Sequence, residues 1–61
     1  MTFWCVELCV EYEGSISTSF FQKLSNASDT VEDLRDWISK EGMNDMYVTL
    51  EEVEFEDTQR P

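Results

Sequence analysis

Carboxylates are the residues of this chain with chemistry to offer: fourteen Asp and Glu stand against four Lys and Arg, with no histidine, in 61 residues carrying a net charge of −10. A carboxylate can pass protons, ligate a hard cation or present negative charge. Proton transfer is served best by a group poised near neutral pH or by a nucleophile beside a base. This chain has no histidine, no thiol next to a base and no glycine-rich phosphate loop. Calcium needs about six to eight convergent oxygens, and the D-x-[DN]-x-[DN]-G loop that supplies them is missing. Cys5 and Cys9 lack the second Cys or His pair of a zinc site. The expectation is therefore a protein that is not an enzyme and holds no metal or cofactor. What remains is the field, which draws cationic surfaces and turns away nucleic acid and anionic membranes.

The elements that must position these acids can be read from periodicity. Trp4, Val6, Leu8, Val10 and Tyr12 alternate with Phe3, Cys5, Glu7, Cys9 and Glu11, which predicts a strand over 3–12. Along it Cys5 and Cys9 lie about 13 Å apart, at roughly 3.3 Å per residue. That is too far for a disulfide between them, so two reduced thiols are expected. Glu13-Gly14 marks a turn, and a second strand follows over 15–24. A loop of Tyr12-Glu13-Gly14 would pair Val10 with Ile16, Leu8 with Thr18 and Val6 with Phe20, gathering the apolar side chains on one face.

Ser25 to Ser28 reads as a polar connector, and Asp29-Thr30-Val31-Glu32 has the form of a capping box. Val31, Leu34, Trp37 and Ile38 recur at helical spacing and Gly42 offers a left-handed stop, so a helix is expected over 30–41. A third strand over 45–56 carries Met46, Val48 and Leu50 on one parity, but Val53 and Phe55 on the other. A bulge at Glu51-Glu52 would restore them to the same face. Residues 57–61 are expected to fray.

One helix covering one face of a three-stranded sheet is the α+β solution for a ββαβ chain of this length, a single domain with strand order 2-1-3. Trp4, Phe20, Trp37, Ile38 and Met46 are the expected core. The opposite face would then show Phe3, Phe21 and Tyr47 among Glu7, Glu11 and Glu54, with Glu52 and Glu56 continuing the acids along the third strand. Carboxylates at alternate strand positions recur about every 6.7 Å, a spacing on the order of a phosphate backbone's. Asp29, Glu32, Asp33 and Asp36 form a second acidic surface on the helix, with Lys40 one turn beyond Asp36. Edge-strand charge also deters aggregation and helix-surface charge aids solubility, so each cluster alone is ordinary. Their sum, with few cations interspersed, is not.

In size, acidity and strand-strand-helix-strand pattern the chain resembles a class, the small acidic inhibitors that phages direct at host nucleic-acid machinery, anti-CRISPR proteins and other DNA mimics among them. The resemblance implies a basic nucleic-acid-binding protein or complex as partner, such as a CRISPR effector. Glu7, Glu11, Glu52, Glu54 and Glu56 would imitate phosphates, with Phe3, Phe21 and Tyr47 adding apolar contact. The alternative is an interaction module that forms a homodimer or binds a protein through the open sheet face. The first residues lack a signal peptide's basic and apolar segments, and no apolar run approaches about 18 residues. The expected setting is cytoplasmic, that of the bacterial host if a phage encodes the chain.

Overall fold

A computed structural model describes residues 1–55. The order is β1 (Thr2–Val10), β2 (Gly14–Phe21), α1 (Leu24–Glu41) and β3 (Met46–Glu54). The sheet runs β2-β1-β3 with β1 antiparallel to both neighbours, and α1 packs on one face, an α+β fold. The most apolar strand takes the centre. There Val6 is 2% exposed, against Ala27 and Val31 of the helix, and Trp4, Phe21, Leu34 and Val48 close around them.

The hairpin turns one residue earlier than its composition suggests. The Glu13 N–H donates to the Val10 carbonyl at 3.0 Å, and Gly14 follows at φ 84°, a left-handed conformation that other residues resist. Val10 therefore pairs with Gly14 and Cys9 with Ser15. After a bulge, Leu8 pairs with Ser17, Val6 with Ser19, Cys5 with Phe20 and Trp4 with Phe21. This register differs from the expected pairing of Val6 with Phe20. It sends Phe21 to the helix side and Phe20 to the open side, because a one-residue slip exchanges the faces.

The helix begins six residues before the expected Thr30. Leu24, Ala27, Val31, Leu34 and Ile38 form one stripe at spacings of three and four, and burial of Ala27 outweighs the capping signal at Asp29. Lys23 is the N-cap and makes no side-chain capping bond. The Ser25–Ser28 connector is thus the opening turn of α1. Its end is as expected: Gly42 sits at φ 67°, with Met43 N–H donating to Ile38 O and Gly42 N–H to Ser39 O, a Schellman motif.

The third strand pairs with β1 without interruption from Val10–Met46 to Thr2–Glu54, so there is no bulge at Glu51-Glu52. Val53 and Phe55 accordingly share the open side with Phe3, where apolar cover is already present. Glu52 and Glu54 fall on the helix side. Trp37, expected in the core, is 41% exposed on the flank of α1. The expected fraying of 57–61, and Glu56 with it, lies outside the described residues.

Candidate functional site

On the sheet face away from α1, β1 presents Phe3, Cys5, Glu7 and Cys9. Partners across the pairs fill in Val53 beside Phe3, Phe20 and Glu51 beside Cys5, Thr18 and Thr49 beside Glu7, and Tyr47 beside Cys9. One end of this face is aromatic. The Phe3 and Phe55 rings meet edge to face at 5.2 Å and 79°, and Phe20 meets Phe55 at 5.9 Å and 65°, the geometry that aligns a ring's positive edge with its neighbour's negative face. Phe20 stays 52% exposed and Tyr47 48%.

The middle of the face is acidic. Glu7 pairs with Thr49 and Glu51 with Cys5, which makes the two glutamates diagonal neighbours about 7–8 Å apart. They flank the Cys5 thiol. Burial first, and then the charges of Glu7 and Glu51, push that thiol above its ordinary pKa, so it is held as the protonated, unreactive form. Cys5 and Cys9 are both free and buried on the central strand.

The longest acidic surface lies on the helix. At about 100° per residue, Asp29, Glu32, Asp33 and Asp36 fall within a roughly 100° arc opposite Ala27, all of them exposed. Among the described residues, only the Asp36 end of these four is compensated, by Lys40 at 3.0 Å. Asp29 and Asp33 rise one turn apart, about 6 Å, along the same line.

The remaining expected positions disperse. Glu54 is occupied within the fold: its carboxylate accepts from Thr2 Oγ1 at 2.7 Å and from the Met1 ammonium at 3.1 Å. The Thr2 hydroxyl and then the ammonium hold its pKa below the usual carboxylate range. Glu52 pairs with Trp4 on the helix side, and Glu11 sits in the hairpin loop, its N–H bonded to Asp45 O at 2.7 Å. Phe21 belongs to the core and is no surface anchor. The single row of Glu7, Glu11, Glu52 and Glu54 on one face is therefore not assembled. Phe3, Glu7 and Tyr47 do share the open face, along with Phe20, Glu51, Val53 and Phe55, which sequence reasoning placed elsewhere or left out. The parity change at Val53 was the available signal for two of these, had it been read as a strand apolar on both faces at that end.

A groove of about 270 Å³ between α1 and β3 is lined by Ser28, Val31, Glu32, Arg35 and Leu50. It is small beside ordinary ligand pockets of about 300–1,000 Å³. Among the described residues, no group of three or more His, Cys, Asp or Glu is placed to hold a metal ion, and no helix is long and apolar enough to cross a membrane. No family model, curated protein or solved structure matches the chain.

Proposed function

We propose that this protein is a non-enzymatic inhibitor that occupies a basic, nucleic-acid-binding groove of a partner, a complex of the CRISPR-effector kind, with α1 as the strand-like polyanion. The observation that carries the reading is the run of Asp29, Glu32, Asp33 and Asp36 along the solvent side of one continuous helix, in a chain of net charge −10. A helix holds the backbone of its carboxylates already ordered, which leaves only side-chain freedom to be lost on binding, and complementary charge speeds encounter. Glu7 and Glu51 add a second negative zone on the opposite side of the molecule. The groove's small size favours binding over catalysis.

The test is a pull-down from bacterial lysate with the chain as bait, eluted stepwise with salt and then with duplex DNA. It is run beside a variant in which the four helix acids become amides, four of the fourteen carboxylates. A nucleic-acid-binding complex released by DNA from the wild type and not captured by the variant is the expected result. Equal capture by both chains refutes the role of the helix.

A second reading rests on the edge-to-face cluster of Phe3, Phe20 and Phe55, since aromatics anchor protein interfaces. Under it the open face docks a protein partner and the acids serve solubility. Capture would then survive the amide substitutions and be lost in Phe3→Ala.

A further inference from the structure

The two edges of the sheet are unlike. β3 carries Glu51, Glu52 and Glu54, whereas residues 14–22, which include all of β2, contain no charged residue and no proline. Edge strands are ordinarily guarded against pairing by charge, proline or cover. Here α1 lies chiefly over β1 and β3, and β2 is exposed from Gly14 through Thr18. In a chain that is 30% charged, this edge is the place where a second copy meets no like charge.

We propose that β2 pairs antiparallel with β2 of a second copy, joining two sheets into one of six strands across a two-fold axis at Ser19. The bulge between the Leu8 and Cys9 pairs confines regular backbone to Ser17–Phe21, and that segment is centred on Ser19. In this register Thr18 stands opposite Phe20 of the second copy, and the two Phe20 rings are diagonal neighbours at about 7–8 Å. The exposed flank of each Phe20 is covered, and the two clusters of Phe3, Phe55 and Phe20 become one apolar band across the seam. At each end Lys23 is carried toward Glu13 of the second copy.

The charge of the chain permits this arrangement. Glu7, opposite Thr18, is the strand carboxylate nearest the seam. Its counterpart in the second copy is three strand spacings away, about 14 Å. That exceeds the Debye length of about 8 Å at physiological ionic strength, and the β3 acids are farther still. Pairing through β3 about its own centre, Leu50, would instead bring the two Glu51 carboxylates to diagonal positions about 7–8 Å apart, within that Debye length.

This inference is independent of the proposed inhibition and is tested with no partner present. Light scattering on the intact chain over a concentration series at physiological salt is expected to give the mass of two chains, falling to one in Phe20→Lys, with the far-ultraviolet dichroism of a folded protein in both. Ser19→Cys is expected to form a covalent dimer on mild oxidation, because cross-strand partners at the axis lie about 5 Å apart. Thr49→Cys, on the other edge, is expected to remain uncoupled. One chain mass at every concentration overturns the proposal, as does a dimer in which position 19 fails to cross-link or position 49 cross-links equally well. The two cysteine variants keep the test decisive if Phe20→Lys fails to fold.

Discussion

Enlarging Ala27 tests where the helix begins and what it packs on. Ala27 is 0% exposed and packs with Val6 and Val31. Leucine is nearly as good a helix former as alanine, so Ala27→Leu changes local propensity little and isolates packing. Three more carbons have no space beside a Val6 that is 2% exposed, and overpacking of this kind costs about 1–3 kcal/mol. A chain of this length has a total stability on the order of 3–9 kcal/mol, so about 2 kcal/mol is a substantial share. In a domain of this size the melting temperature would fall by about 8–16 °C. Thermal and urea unfolding, followed by Trp fluorescence and far-ultraviolet dichroism, read the change. Were residues 25–28 a solvated connector, the substitution would move stability by less than about 0.5 kcal/mol. An unchanged or raised melting temperature would therefore refute the placement of Ala27 in the core.

Two further predictions concern titration and reactivity. Because the folded pKa of Glu54 lies below its ordinary value, its bonds to Thr2 and the Met1 ammonium stabilise the fold above the unfolded carboxylate pKa of about 4.3, and that contribution is lost as pH falls through the lower folded value. Urea midpoints measured against pH should accordingly drop on the acid side, and Glu54→Gln should flatten that limb; an identical acid limb in the variant would contradict the assignment. Cys5, 5% exposed and with its thiol held protonated by burial and by Glu7 and Glu51, should react with a thiol reagent at neutral pH only through opening of the sheet. Labelling located by mass spectrometry should be slow in buffer and fast in urea, and rapid modification of native Cys5 would show that its cover is incomplete.

Much of the fold was legible in residue order, and the parts that were not share a cause. Alternation in residues 3–12 identified the central strand, and Gly42 ended the helix where the positive φ required it. The start of the helix was misplaced because Asp29 and Glu32 mimic a capping box, while the apolar signal upstream is only Leu24 and a single alanine. Alanine is ambiguous in sequence; its complete burial under Val6 is a tertiary fact. The candidate site divides in the same way. Asp29, Glu32, Asp33 and Asp36 share a helix surface by spacing alone, wherever the helix starts. Phe3, Glu7 and Tyr47 share the open face because they alternate with the core positions of their own strands.

Which of two adjacent phenylalanines faces the helix was decided by the hairpin, where reversal one residue earlier exchanged Phe20 and Phe21. The unbroken β1–β3 ladder likewise separated Glu52 and Glu54 from Glu7. Composition and local period thus determined the element types, the sheet order and the excess of negative charge, since these follow from short-range pattern and from the few ways one helix can cover three strands. Register and sidedness were decided only in the tertiary structure. A strand's period of two makes a one-residue shift invisible along the chain and complete in space, and the choice between registers falls to turn geometry and to packing between residues far apart in sequence.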